Sequence, residues 1–183
     1  MLPERFDKID IAIPKGVRIV GHRLFKLFKT LEEINIPEGV EVIEEEAFFG
    51  CEALKKVILP NTLHRIGKGA FAVCDSFEYI NLPVGLQQIE AYAFMGCKKL
   101  RCIIIPKTCE VIGRSAFVGC NNLEYIILLN PNLEVTDIGL TNKCVIVRDN
   151  KEDDKAGGKC EFIQWQEDIL AQKSFHRGYK NMP

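Results

Sequence analysis

The sequence predicts a solenoid in which short parallel strands wind into a right-handed superhelix, and three regularities predict it. Prolines recur every 23 residues without an insertion, at Pro14, Pro37, Pro60, Pro83 and Pro106. A phenylalanine follows each proline eleven residues later, at Phe25, Phe48, Phe71, Phe94 and Phe117. An apolar-x-apolar pattern precedes every proline, as in Val57-x-Leu59. A fixed period of roughly 20 to 29 residues is typical of solenoids in which every coil contributes one strand.

The apolar-x-apolar pattern is a period of two, which indicates a short strand with one face inward. One such strand per coil would give one continuous parallel sheet. Proline cannot donate to a strand ladder, so we expect each proline at the corner where the chain leaves the sheet. The following apolar pair, Leu63 and Ile66 in the central coil, predicts a second short strand.

The segment that closes each coil reads Ala-Phe-x-x-Cys in four of the five regular copies. We expect it to cross back as a helical turn or a short 3₁₀ piece. Coils about 5 Å apart would stack the phenylalanines into one internal column. The position seven after each proline alternates between Gly21, Glu44, Gly67, Glu90 and Gly113. The glycines predict a turn with positive φ, but the alternation with glutamate has no explanation in the sequence.

Five to six coils account for residues 1–147, with a sixth, degenerate copy after Leu129 that places Val135 and Leu140 in apolar positions. Residues 148–183 then form a charged loop and a C-terminal tail. In this tail Phe162, Trp165 and Ile169 recur at helical spacing, which predicts a short amphipathic helix. The helix would either cap the open end of the core or bind a partner in a groove.

Composition excludes some functions. The net charge is −1, so there is no electrostatic case for nucleic-acid binding. No apolar run reaches the length of a membrane span, and the first residues are charged and lack a signal-peptide core. We therefore expect no membrane insertion. The protein would lie either in the cytoplasm or, if a leader was removed, outside the cell.

The cysteines recur with the repeat at Cys51, Cys74, Cys97 and Cys120. We expect them to be small buried apolar side chains. Parallel side chains disfavour disulfide torsions, and no local C-x₂-C spacing favours a metal. Free thiols in a row fit a reducing compartment, which leans toward the cytoplasm. Cys102 is the one thiol that the pattern places on the outside of the sheet.

The repeat string, C-x-x-L-x-x-I-x-I/L-P-x-x-V/L-x-x-I-G/E-x-x-A-F-x-G-C, resembles the BspA-type leucine-rich repeats over about residues 8 to 146. The resemblance implies a leucine-rich-repeat solenoid and a role in protein–protein binding or adhesion. It also implies a cell-surface location as the alternative to the cytoplasm. That family has no catalytic residues to carry over.

The outward strand positions are where a partner would be recognised. The face is small and charged near the N-terminus and apolar toward the C-terminus, which favours a contact. The chain's own tail, a separate partner or a second copy could each cover it. The candidate partner-binding residues are Lys56, Ile58, Tyr79, Asn81, Cys102, Ile104, Tyr125 and Ile127.

Three functional hypotheses follow. The first and favoured one is a non-enzymatic protein-interaction module that binds another protein through the sheet face and needs no cofactor or metal. The second is a structural or self-associating protein that forms a homo-oligomer. The third is a thiol enzyme or redox sensor built on Cys102. His22, His64 and His176 lie at unrelated positions of the repeat, so no Cys–His pair supports the third hypothesis.

Overall fold

The computed structural model describes residues 11–148, which form a parallel β-solenoid of about six turns. Its strands are two to four residues long. They are β1 (Ile19–Val20), β2 (Glu33–Asn35), β3 (Val42–Ile43), β4 (Lys56–Ile58), β5 (Arg65–Ile66), β6 (Tyr79–Ile80), β7 (Gln88–Ile89), β8 (Cys102–Ile105), β9 (Val111–Ile112), β10 (Tyr125–Leu128) and β11 (Val145–Arg148).

The second strand of each coil, the one that follows proline, forms a continuous layer. Its five members pair in parallel in the order β1-β3-β5-β7-β9. Ile43 pairs with Ile66, which pairs with Ile89, so the ladder advances by one sequence period per strand. The predicted second strand is therefore confirmed.

The strands that precede proline do not form one continuous sheet, so that prediction was wrong. They form a two-stranded sheet, β2-β4, and a four-stranded sheet in the order β11-β10-β8-β6. The break falls between β4 and β6, at the only coil in which phenylalanine replaces the leucine that precedes the strand, at Phe77. Phe77 is fully buried, with its ring edge-on to Phe71 at 5.8 Å. Because a phenyl ring needs more room than a leucine, we attribute the separation of β6 from β4 to this side chain.

The Ala-Phe-x-x-Cys segment is a run of turns, and the described residues contain no helix. Successive backbone amides of this segment alternate between two acceptors, a carbonyl three residues earlier and a carbonyl of the next coil. The Phe49 and Cys51 amides donate three residues back along the chain, whereas the Phe48 amide donates to Ala70 of the next coil at 2.8 Å. Within this segment the backbone takes positive φ twice in each of the five regular coils, at Glu46 and Gly50 for example. These left-handed residues prevent a helix from propagating.

The core contains the predicted phenylalanine column. Rings of Phe25, Phe48, Phe71, Phe94 and Phe117 stack nearly parallel with centroids 5.0, 5.1, 5.7 and 5.7 Å apart. The last four rings are at most 1% exposed. Stacked pairs of this kind contribute about 0.5–1.5 kcal/mol each beyond their burial.

The repeated cysteines are buried beside this column, as predicted, and each has a defined hydrogen bond. The thiols of Cys51, Cys74, Cys97 and Cys120 each donate to the phenylalanine carbonyl of the preceding coil, at 3.0 to 3.3 Å. Burial raises the pKa of Cys51 to about 11 and raises that of Cys97 as well. The Cys51, Cys74 and Cys97 thiols are therefore structural and stay protonated at neutral pH. In Cys120 the hydrogen bond with Cys97 outweighs burial and lowers the pKa.

The glycines seven residues after proline do not adopt positive φ, so the turn predicted for them was wrong. Positive φ occurs two positions later, at Arg23, Glu46, Gly69, Tyr92 and Ser115. Gly67 and Gly113 are instead required by close approach. A Cβ on Gly67 would lie 2.7 Å from the Glu44 carbonyl carbon, and one on Gly113 would lie 2.2 Å from the Ala91 amide nitrogen.

The degenerate last coil differs in detail from its prediction. Leu133 and Ile138 take its buried positions, while Val135 and Leu140 are half-buried against the core. β11 then ends at Arg148, whose guanidinium donates to the carbonyls of Pro131 and Leu133 at 3.0 and 2.9 Å. The predicted loop and helix of the C-terminal tail lie outside the described residues.

Candidate functional site

The outward face of the pre-proline strands is the candidate site, and strand register fixes its layout. One outward row runs Tyr79, Cys102, Tyr125 across β6, β8 and β10. A second row contains Ile104 and Ile127, which pair across β8 and β10, and Asn81 follows β6 in the sequence. Lys56 and Ile58 belong to β4, on the other side of the break. The contiguous part of the site is therefore the four-stranded sheet.

Exposure divides the candidate residues into two groups. Ile58, Tyr79 and Tyr125 are 42%, 37% and 39% exposed, Asn81 is exposed, and Lys56 and Ile104 are intermediate. Cys102 and Ile127 are each only 3% exposed. The prediction that these last two present a surface to a partner was wrong.

The strand neighbours explain both buried residues. Cys102 stands between Tyr79 and Tyr125, so its short side chain is recessed between two much larger ones. Ile127 stands between two β-branched side chains, Ile104 and Val147. Burial, with smaller contributions from Cys144 and Glu124, raises the pKa of Cys102 to about 12. Such a thiol is neither accessible nor ionised, which removes the basis for a reactive cysteine here.

A polar cleft of about 330 Å³ borders the tyrosines, and sequence reasoning missed it. Glu78, Lys99, Arg101, Asn122 and Glu124 line it. The Arg101 guanidinium donates to one Glu124 oxygen through Nε at 3.1 Å and Nη2 at 2.9 Å. Glu124 first, and then Tyr79, raise the pKa of Arg101. The acid–base alternation immediately before each strand, Glu78-Arg101-Glu124, was the sequence signal that could have revealed it.

In the segment just before these strands, the ion pairs between successive coils stop where the strand ladder stops, whereas Glu45 and Lys68 still join the same two coils elsewhere, at 3.2 Å. Before the break, Glu32 pairs with Lys55 at 3.2 Å and Lys29 with Glu52 at 3.0 Å. After it, Asp75 pairs with Lys98 at 2.7 Å and Arg101 with Glu124. Across the break, like charges occupy the same position of successive coils, at Glu52 and Asp75. The exposed pairs contribute little to stability individually.

The described residues offer little for catalysis. They contain no group of three or more potential metal ligands close enough to hold an ion. The two described histidines, His22 and His64, form no hydrogen bond to any cysteine thiol in residues 11–148. Over this same stretch there is also no helix long and apolar enough to cross a membrane.

The chain belongs to the BspA-type leucine-rich-repeat family. The family described as "BspA type Leucine rich repeat region" matches residues 7–141 in six copies. This match covers the whole described solenoid except its last strand. No curated protein matches the chain.

Solved structures agree with this assignment. A leucine-rich cell surface protein of Faecalibacterium prausnitzii is 32% identical, with a TM-score of 0.62 over 64% of this chain and 31% of that one. A leucine-rich-repeat protein of T. pallidum is 31% identical, with a TM-score of 0.62 over 64% of this chain and 56% of that one. The pneumococcal vaccine antigen PcpA is 28% identical, with a TM-score of 0.57 over 69% of this chain and 33% of that one. This chain thus spans between a third and just over half of their lengths, and the cytoplasmic lean finds no support among them.

Proposed function

We propose that the chain is a non-enzymatic protein-binding module whose binding surface is the outward face of the four-stranded sheet. One observation carries the proposal: Tyr79 and Tyr125 stand exposed on either side of the recessed Cys102 and beside the Arg101–Glu124 pair. Tyrosine and arginine dominate the energetics of protein interfaces, because they combine large apolar area with hydrogen-bonding groups. The family assignment and the similarity to a cell surface protein of F. prausnitzii support binding at a cell surface.

The proposed site is smaller than the one predicted from the sequence. Its members are Tyr79, Asn81, Ile104 and Tyr125, with the cleft residues Glu78, Arg101 and Glu124 as a polar rim. Lys56 and Ile58 lie beyond the break and contribute only if the partner spans it. Cys102 and Ile127 support the surface from beneath.

The buried thiols are compatible with a cell-surface location. Six of the seven described cysteines are buried, and the repeated ones donate to backbone carbonyls. A protonated, inaccessible thiol reacts slowly with oxidants in any compartment. The argument that free thiols favour the cytoplasm therefore loses its force, and the F. prausnitzii relative supports a surface setting.

The test compares the proteins captured by the immobilised chain with those captured by a Tyr79→Ala/Tyr125→Ala variant. The control is Val84→Ala, since Val84 is 74% exposed and lies outside the face. For a captured protein, purified and titrated, each tyrosine should weaken binding by about 30-fold, the effect of an interface hot spot. The control should bind like the wild type. Unchanged affinity in a folded double variant would exclude this face as the binding surface.

Self-association is a second candidate, because β11 ends the four-stranded sheet within the described residues. Val145 and Ile146 point to opposite faces and are 52% and 37% exposed. An exposed apolar edge strand is a template for pairing with another chain. Sedimentation equilibrium should then show a dimer that Val145→Lys dissociates. A monomer mass that does not change with protein concentration would rule this candidate out.

A further inference from the structure

Glutamate and glycine alternate at the position seven after proline, and the contacts give this alternation a physical cause. We number the coils 1 to 5 by the prolines at which they begin, which are Pro14, Pro37, Pro60, Pro83 and Pro106. In coil 2 the Glu44 carboxylate accepts a hydrogen bond from the His22 amide of coil 1 at 2.8 Å. In coil 4 the Glu90 carboxylate accepts one from the Lys68 amide of coil 3 at 3.0 Å. Each glutamate therefore satisfies a backbone donor of the coil before it.

The glycines of coils 3 and 5 make the opposite kind of contact. A Cβ on Gly67 or Gly113 would lie within 2.8 Å of backbone atoms of the preceding coil, a distance at which real side chains do not fit. Gly21 of coil 1 would meet nothing within 4 Å. At this position glycine is thus required where coil 3 packs on coil 2 and where coil 5 packs on coil 4.

The position two after proline alternates in the same phase. Thr62 of coil 3 donates to the Val40 carbonyl of coil 2 at 2.8 Å and accepts from the Gly39 amide at 3.0 Å. Thr108 of coil 5 donates to carbonyls of coil 4, those of Val84 at 2.7 Å and Leu86 at 2.8 Å. Coil 4 instead has Gly85, where a Cβ would lie 2.6 Å from the Asn61 carbonyl oxygen of coil 3.

A third position, thirteen after proline, follows this pattern in coils 1 to 4 and departs from it in coil 5, which has Gly119. The Leu27 side chain of coil 1 packs on Gly50 of coil 2, and Val73 of coil 3 packs on Gly96 of coil 4. At the positions seven and thirteen after proline, the interface between coils 1 and 2 therefore shares its contacts with the interface between coils 3 and 4. At the positions two and seven after proline, the interfaces between coils 2 and 3 and between coils 4 and 5 share a different set, although the strand ladder before proline is broken only between coils 2 and 3.

We infer that the structural unit of this solenoid is a pair of coils, 46 residues long, and that two kinds of coil interface alternate along it. In the first kind a glutamate carboxylate binds a backbone amide of the preceding coil. In the second kind a glycine allows close backbone approach while a threonine hydroxyl bonds to the preceding coil. This inference does not depend on the proposed function.

The outward face follows the same two-coil step. The position before each strand reads Glu32, Lys55, Glu78, Arg101, Glu124. The position two residues before each proline reads Asn35, Ile58, Asn81 and Ile104, and the alternation ends at the equivalent Ile127. Tyr79 and Tyr125 occupy like positions one step apart, which is roughly 10 Å for two strand spacings. Within the four-stranded sheet the exposed tyrosines therefore recur once per pair of coils rather than once per coil.

Duplication of coils tests the inference. One variant repeats residues 83–128, coils 4 and 5, directly after Leu128, so that every new interface is of a native kind. The other repeats residues 83–105, coil 4 alone, after Ile105, so that Glu90 of one copy stacks on Glu90 of the other and no Thr108 or Gly113 lies between them. Added coils stabilise a solenoid when their interfaces match. The guanidinium midpoint should rise for the paired variant and fall for the single one.

Equal gains per coil in both variants would overturn the inference. Point variants keep the test decisive if a duplication fails to fold. Gly113→Ala and Gly67→Ala should each lower the unfolding midpoint, whereas Gly21→Ala, in open space and without positive φ, should leave it unchanged or raise it. Similar midpoints for all three variants would mean that the coil interfaces are equivalent and would overturn the pairing as well.

Discussion

The two strand layers of this solenoid have the same 23-residue period but differ in continuity. The layer after proline runs unbroken through five strands, whereas the layer before proline divides between β4 and β6. The unbroken layer has isoleucine or valine at its inward position in every coil, from Val20 to Ile112. The divided layer is preceded by leucine in four coils and by Phe77 in one. The division therefore coincides with the one enlarged core residue before these strands, to which we attribute it.

The division also organises the surface. The pre-proline strands stop pairing at this coil boundary, so β6, β8, β10 and β11 form one sheet that contains both exposed tyrosines. On the opposite side of the core, β3 pairs with β5 and β5 with β7 without interruption. The continuous layer therefore holds the two halves of the divided layer together.

The largest expected effect comes from the column that both layers enclose. Phe71→Ala removes a ring that stacks on Phe48 and Phe94 and meets the edge of Phe77. The loss should be about 3–5 kcal/mol of unfolding free energy, because the fully buried site cannot collapse around the cavity. Equilibrium denaturation measures it. Ile19→Ala, at a position 50% exposed, is the control and should cost well under that amount.

A result below about 1 kcal/mol for Phe71→Ala would contradict the column as a source of stability. If the loss of unfolding free energy is intermediate, hydrogen exchange of the backbone amides shows which strand layer the ring column supports. If amide exchange accelerates in β6 but not in β5, the column supports mainly the divided layer. If both accelerate together, the two layers unfold as one cooperative unit.

Much of the fold could be predicted from the sequence, because a strict period applies the same geometric constraint in every coil. The ring column, the buried cysteines and the second strand all follow from apolar residues recurring at one spacing. The break between β4 and β6 could not be predicted from the sequence. Phe77 and the leucines of the other coils are equally apolar in the repeat pattern and differ only in side-chain volume. The role of Gly67 likewise depends on the distance to Glu44 in another coil, which no local pattern encodes.

The candidate site was predicted less well than the fold, for a related reason. Alternation assigns Cys102, Tyr79 and Tyr125 to the same outward row, and the strand register agrees. Exposure, however, depends on the relative size of neighbours in that row, and the short cysteine is covered where the tyrosines are not. The cleft beside them needs side chains from successive coils, Arg101 and Glu124 among them, so it becomes visible only when the coils are stacked.

The smallest expected change in stability, and the most specific test of the comparison, is Phe77→Leu. Leucine restores the residue found before the other strands, so β6 should move toward β4 and the two sheets should join into six strands. Loss of the Phe71 edge contact, about 0.5–1.5 kcal/mol, opposes a gain of about 0.5–1.5 kcal/mol per new hydrogen bond. The unfolding free energy should therefore change by no more than about 1 kcal/mol.

Hydrogen exchange distinguishes this result from a neutral substitution. The amides of Val57 and Asn81, which a ladder between β4 and β6 would protect, should slow in the variant, while those of β5 and β7 stay unchanged. The reverse substitution, Leu100→Phe in the next coil, should expose amides between β6 and β8 and supplies the matched control. If Val57 and Asn81 exchange at the same rate in Phe77→Leu as in the wild type, Phe77 does not cause the break. The like charges of Glu52 and Asp75 would then be the remaining feature that distinguishes this coil boundary.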